Sequence, residues 1–331
     1  MATTYKNVYF IGIGGIGMSA IARYFKFKGL NVSGYDKTES ELTDTLQKQG
    51  IDVHYEDNVD FIPKDVENTL VVYTPAIPHD MGELVYVQEH GYKVLKRSKI
   101  LGEITDGERC LAVAGTHGKT TTSTLTAHIL TESGGGCSAF LGGISKNYGT
   151  NLLMSHSNAV VAEADEFDRS FLQLHPEIAV ITAIDADHLD IYGDEEHYLE
   201  AFSIFTSLIR PGGHLLVHTG LKFKPAPGPD VTMATYSGGS EGDWHAEDIT
   251  YGDGTITFTL VGPDGLRIEN LSPGVPVDIN IDNAVAAAAA ALTAGAIPEQ
   301  VREGLASFHG AKRRFEIWRD GKDGGSVLID D

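Results

Sequence analysis

The chain has 331 residues, 42% of them hydrophobic, which is enough for two domains with sizeable cores. Its 46 acidic residues against 25 basic ones give a net charge of -21, and no Lys/Arg-rich stretch offsets it, so nucleic acid and anionic membranes are excluded as partners. The two cysteines, Cys110 and Cys137, exclude a disulfide framework and fit a reducing compartment.

Residues 8–13 form an apolar run expected as a strand. Together with the glycines that follow, it is too short for a signal peptide or an anchor, and the expected location is the cytoplasm. The run leads into Gly12-Ile-Gly14-Gly-Ile-Gly17 and a helix expected from Met18, with Asp36 ending a second strand in Ser33-Gly-Tyr-Asp36. This is a G-x-G-x-x-G turn between a strand and a helix. Glycines there let a diphosphate approach a helix N-terminus, and the acid would accept hydrogen bonds from a ribose or base. Taken alone, the turn makes an NAD-dependent oxidoreductase the first reading. The same cradle serves any nucleotide diphosphate, a UDP-sugar included, and a plain packing turn is the bland reading.

After a strand expected at 70–73, the polar turn Thr105-Asp-Gly-Glu-Arg109 marks a boundary. A first domain over 1–106 and a second over 107–312 follow, with 313–331 opening a third. A strand at 111–114 runs into Gly115-Thr116-His117-Gly118-Lys119-Thr120-Thr121, a short relative of the P-loop. Backbone N–H groups would wrap a phosphate, Lys119 would neutralise its oxygens, and the Thr120 hydroxyl would reach Mg²⁺. His117 reads equally as a phosphate contact or as a solvated loop residue.

Strands expected at 159–162 and 178–184 both end in acids: Glu163-Ala-Asp165-Glu166-Phe-Asp168 and Asp185-Ala-Asp187-His188-Leu-Asp190. Ligands gather at such strand ends in parallel α/β sheets, so Glu163 and His188 are assigned to a metal, whereas Asp165, Asp168 and Asp190 read equally as solvated. A strand follows at 215–218, then a Pro/Gly/Ser-rich loop over 224–243. A hairpin is expected around Gly252-Asp-Gly254, with arms at 249–250 and 255–261. The alanine run 282–294 must be helix, ended by Gly295 and Pro298. A last strand begins at 327–329, just as the chain stops. His218, His245 and His309 have no comparable context. The fold class is therefore α/β, with a Rossmann-like parallel-sheet domain followed by a P-loop-type α/β ATPase domain bearing a small β-hairpin region.

Five segments together carry a family resemblance: Phe10-Ile-Gly-Ile-Gly-Gly-Ile-Gly-Met18-Ser, Ala114-Gly-Thr-His-Gly-Lys-Thr-Thr-Thr122, Ala162-Glu-Ala-Asp-Glu166, Asp187-His-Leu-Asp190 and Gly310-Ala-Lys-Arg-Arg-Phe-Glu316. In content and order the chain resembles the Mur ligases, and Gly15-Ile-Gly17-Met18 follows their alanine-adding branch. The resemblance implies ATP-dependent joining of L-alanine to the muramoyl carboxylate of UDP-N-acetylmuramate through an acyl phosphate, with Mg²⁺, in peptidoglycan precursor synthesis.

It also implies roles residue by residue. Gly14, Gly15, Ile16, Gly17, Met18 and Ser19 would lie against the UDP diphosphate and Asp36 near the uridine, with Thr74 and Arg97 along the same cleft. Gly115, Thr116, His117, Gly118, Lys119, Thr120 and Thr121 would hold ATP. Thr120, Glu163 and His188 match the magnesium positions, with Lys119, Glu163 and His188 the catalytic set. Gly142, Gly143 and residues 147–151, including Asn151, resemble the loop facing the muramoyl group. Asn280 and Asn283 match adenine-holding asparagines, but Ile279 stands where the family has histidine, and Phe167 where it has serine. Arg314 would reach the phosphates. Such ligases continue into an amino-acid-binding third domain, so the expectation for this chain is substrate binding without a completed reaction. The rivals are the NAD-dependent oxidoreductase and a non-catalytic nucleotide-binding regulator.

Overall fold

The computed structural model describes residues 5–185, 189–252, 254–312, 316–320 and 327–330. The chain divides into two compact units, Met1–Gly107 and Glu108–Asp331.

In the first unit, β1 (Asn7–Ile11), α1 (Ile16–Phe27), β2 (Asn31–Tyr35), α2 (Glu41–Lys48), β3 (Asp52–His54), β4 (Thr69–Tyr73), α3 (Gly82–Glu89), β5 (Lys93–Lys96) and α4 (Arg97–Thr105) follow one another. The strands form one parallel sheet in the order β3-β2-β1-β4-β5. β1 is central and buried from Val8 to Ile11, as a strand covered on both faces must be. It ends two residues earlier than its apolar run suggests. The amides of Gly12 and Ile13 both turn to the Tyr35 carbonyl, at 2.8 and 2.9 Å, and Gly12 takes a left-handed φ of +89°.

The second unit contains β6 (Arg109–Ala114), α5 (Lys119–Glu132), β7 (Ser138–Ser145), β8 (Thr150–Leu153), β9 (Ala159–Ala164), β10 (Ile178–Ile181), α6 (Leu189–Tyr192), α7 (Glu195–Ser207) and β11 (His214–His218). Then come β12 (Thr232–Ser237), β13 (Trp244–Gly252), β14 (Thr255–Val261), β15 (Arg267–Leu271), α8 (Ile279–Thr293) and α9 (Pro298–Ser307). Ten of its strands make one sheet, ordered β15-β14-β13-β12-β11-β10-β6-β9-β7-β8. Its middle, from β13 to β7, is parallel, and β14, β15 and β8 add antiparallel edges. A separate antiparallel pair, β16 (Glu316–Asp320) and β17 (Val327–Asp330), follows.

The hairpin expected around residues 252–254 joins β13 to β14. Two expectations need correction. The stretch 224–243 is not all loop, because β12 lies inside it, parallel to β11 from His214↔Thr232 to His218↔Tyr236. Thr-Met-Ala-Thr-Tyr-Ser lacks a continuous apolar face, and pairing with a buried neighbour decides its state. β10 stops at Ile181 instead of 184, since the Thr182 hydroxyl is drawn to the His117 carbonyl at 2.5 Å and the chain turns toward the glycine loop. α8 runs almost as expected. Gly295 ends it at φ +107°, and Ala284 to Ala291 are fully buried against α5 and the sheet.

Candidate active site

In the first unit the glycine turn packs tightly. The Asp36 carboxylate accepts from the Gly14 amide at 2.7 Å and from the Thr38 amide at 3.1 Å. A Cβ at Gly14 would stand 2.8 Å from Asp36 Oδ2, and one at Gly17 would stand 2.5 Å from Arg97 Nη1. Arg97 therefore lies over the start of α1, where Gly15 provides no side-chain cap. Thr74 faces Gly12, whose added Cβ would be 2.9 Å from Thr74 Cγ2. Met18 and Ser19 are buried, and the Ser19 hydroxyl donates to the Ile16 carbonyl, so their side chains turn into the fold. Gly14, Gly15, Ile16 and Gly17 remain at least partly accessible. The structure thus brings Asp36, Thr74 and Arg97 to one glycine turn.

In the second unit the loop between β6 and α5 is set by two left-handed glycines, Gly115 at φ +140° and Gly118 at φ +81°. Neither position tolerates a side chain. A Cβ at Gly115 would lie 2.2 Å from Thr182 Oγ1, and one at Gly118 would lie 2.6 Å from Asn283 Oδ1. Residues 116–121 and Glu163 line a pocket of about 110 Å³ over the N-terminus of α5. Helix-start amides and a half-buried lysine, in a concavity shaped by glycines, supply the donors that a polyphosphate requires.

Lys119 Nζ donates to the Gly115 carbonyl at 2.5 Å and to both Glu166 oxygens at 2.9 and 2.7 Å. Thr120 Oγ1 donates to Glu163 Oε1 at 3.2 Å, and the Gly142 amide donates to Glu163 Oε2 at 2.9 Å. Burial pushes the Glu163 carboxyl upward, against the Lys119 charge and the two bonds that hold it down. Thr121 borders the same pocket. His117 is largely exposed and stands 3.6 Å from Asp185, an exposed pair of the kind that contributes little.

Among the described residues, no three His, Cys, Asp or Glu side chains gather as a metal set. Thr120 and Glu163 nonetheless present hard oxygen donors side by side. Mg²⁺ commonly takes one or two protein oxygens and completes its shell with water and phosphate, so the pair fits that ion. His188 and Arg314 lie outside the described residues, as does Asp187.

The remaining assignments meet interiors. Asn280 and Asn283 are buried. Asn283 accepts from Thr122 Oγ1 at 3.1 Å and donates to Asn280 Oδ1 at 3.0 Å, and Asn280 donates to the Val275 carbonyl at 3.1 Å. These amides tie α8 to α5 and to the preceding loop, while Ile279 is exposed at the helix start. Asn151 is fully buried on β8. Phe167 is exposed, and Asp168 and Arg169 beside it adopt left-handed φ values of 51° and 54°.

Two contacts escape a reading of the sequence. Glu166 is one of four clustered acids, and nothing in the spacing singles it out as the partner of Lys119. His218 pairs with Asp282 at 2.9 Å across 64 positions of chain. No helix among the described residues is long and apolar enough to cross a membrane.

Comparison with known proteins bears on this geometry. Residues 7–109 match the Mur ligase family, catalytic domain, and residues 113–291 match the Mur ligase middle domain. The chain is 56% identical over 318 residues to a UDP-N-acetylmuramate–L-alanine ligase of Phocaeicola vulgatus, covering 95% of this chain and 69% of that protein. It is 55% identical to the enzyme of the same name from Porphyromonas gingivalis, covering 98% and 72%. The crystal structure of a UDP-N-acetylmuramate-alanine ligase from Thermotoga maritima superposes with a TM-score of 0.85 at 28% identity, over 98% of this chain and 74% of that one. These relatives are ligases, and they lend no support to an oxidoreductase reading of the first turn.

Proposed function

Because the chain belongs to the Mur ligase family, we propose that it acts in the ATP-dependent joining of L-alanine to the carboxylate of UDP-N-acetylmuramate. The observation that carries this reading is the second glycine turn, where Lys119, Thr120 and Glu163 converge on one small pocket at the head of α5. The first glycine turn, with Asp36, Thr74 and Arg97, is assigned to the UDP moiety.

The chemistry balances as phosphoryl transfer followed by aminolysis. A muramoyl carboxylate oxygen attacks the γ-phosphorus, ADP departs, and an acyl phosphate forms. The alanine amine then attacks the acyl carbon, its proton is released, and inorganic phosphate leaves from the tetrahedral intermediate. Two anions must meet, so the protein has to offset their repulsion and hold them in line. The loop amides of residues 116–121 bind the phosphates, and Lys119 neutralises the oxygens that gain charge. Mg²⁺, held by Thr120 and Glu163, would supply Lewis-acid stabilisation of the phosphate oxygens.

A phosphate-release assay on the full-length protein, with UDP-N-acetylmuramate, ATP and Mg²⁺, tests the reading by comparing L-alanine, glycine, L-serine and a tripeptide as acceptors. L-Alanine is expected to give the highest kcat/KM. Preference for the tripeptide would sink the alanine assignment, and no ADP formation with any acceptor would sink the ligase assignment.

A further inference from the structure

Resting on the reading of the second turn as an ATP site, we propose that Glu166 makes nucleotide binding there conditional on a divalent cation by competing with the phosphates for Lys119. The Lys119 ammonium has three N–H donors, and the structure gives each direction an acceptor: the Gly115 carbonyl and the two Glu166 oxygens. The pair is screened from water, with 13% of the lysine side chain and 3% of the glutamate side chain exposed. A carboxylate and an ammonium at 2.7 Å in such surroundings attract far more strongly than a surface pair.

The position of Glu166 is built into the backbone. Its carbonyl accepts from the Tyr192 hydroxyl at 2.6 Å and from the Arg169 amide at 3.0 Å. The chain leaves it through Asp168 and Arg169, both left-handed, a conformation that persists only where surroundings impose it. Glu163, which lines the pocket together with Lys119, adds a second carboxylate within electrostatic reach of the ammonium. With two carboxylates against one ammonium, a triphosphate arriving alone meets a matched lysine and an unfavourable net charge. A divalent cation on Thr120 and Glu163 reverses that balance, and the phosphates can then draw Lys119 away from Glu166.

A carboxylate that only orients Lys119 would behave oppositely, because its loss would weaken nucleotide binding with or without metal. Calorimetric titration of ATP into the wild type and Glu166→Gln, once with Mg²⁺ and once with EDTA, separates the two. The glutamine keeps the shape and removes the charge. It is expected to tighten metal-free ATP binding by about tenfold or more, with a smaller change in Mg²⁺, so that the ratio of the two Kd values shrinks. An unchanged ratio, or weakening in both conditions, overturns the proposal. If the wild type binds no ATP even with Mg²⁺, the ATP-site reading itself fails. Should Glu166→Gln not fold, Glu166→Asp makes the same comparison, because the shorter side chain draws the carboxylate back from Lys119, and an unchanged ratio there is equally decisive.

Discussion

A methyl group on Gly142 would stand 2.3 to 2.5 Å from the carboxyl atoms of Glu163, inside any permitted contact. The glutamate would have to swing away from Thr120 and from the amide that now holds it. Gly142 is exposed, so the fold should survive Gly142→Ala. Displacing a site group by about an ångström costs on the order of a hundredfold in rate, and that loss is expected in the kcat of the full-length protein together with a raised Mg²⁺ requirement. A variant with the wild-type magnesium titration would remove Glu163 from the metal role. At this scale the sequence was informative wherever backbone context fixed a side chain: Lys119 and Thr120 open a helix, and Glu163 sits near a strand end. It was silent on Glu166, because four acids in six positions differ only in which way the chain turns after β9, and two left-handed residues make that turn. It also could not show that the Asn280 and Asn283 amides are spent on Val275, on each other and on Thr122, since that depends on how closely α8 approaches α5.

Between elements, the first turn of α8 is pinned on two sides. Asn283 meets the glycine loop at Gly118 and the helix α5 at Thr122, while Asp282 accepts from His218 at the end of β11 and from the Gly238 amide at 2.6 Å. The bond to Asp282 lifts the His218 pKa above its ordinary value, against the opposing effect of burial. Burial likewise works against the charge on Asp282, but the bonds from His218 and Gly238 outweigh it and hold that carboxyl low. A histidine raised in the folded state stabilises fully below its unfolded pKa of about 6.5, and that contribution fades as pH climbs through the raised value. His218→Gln should therefore lower Tm more at pH 6 than at pH 9. An equal loss at both would show that the charge on His218 contributes nothing. Strands and helices with strong periodicity were legible from the residues alone, β1, β6, β9 and α8 among them. The polar strand β12 was not, because its state is decided by the neighbour it pairs with.

At the level of the whole chain, each unit has its own sheet and its own buried interior, as the duplicated strand–glycine–helix pattern suggested. The extent of the second sheet was less legible, since its outer strands alternate weakly and only pairing assembles ten of them. Separate cores predict separate responses to ligand. A ligand at a hundred times its Kd adds about 2.7 kcal/mol to whatever it binds. In scanning calorimetry UDP-N-acetylmuramate should raise one transition and ATP with Mg²⁺ another, and both ligands raising the same transition would contradict the assignment of one nucleotide to each unit. Finally, α8 shows no solvent-facing side between Ala284 and Ala291. Most helices keep one face where substitutions are harmless, but here any longer side chain would intrude on a neighbour, glycine in place of an alanine would weaken the helix, and a smaller residue at Val285 would leave a cavity. The chemically plainest stretch of the protein is thus one where few replacements fit.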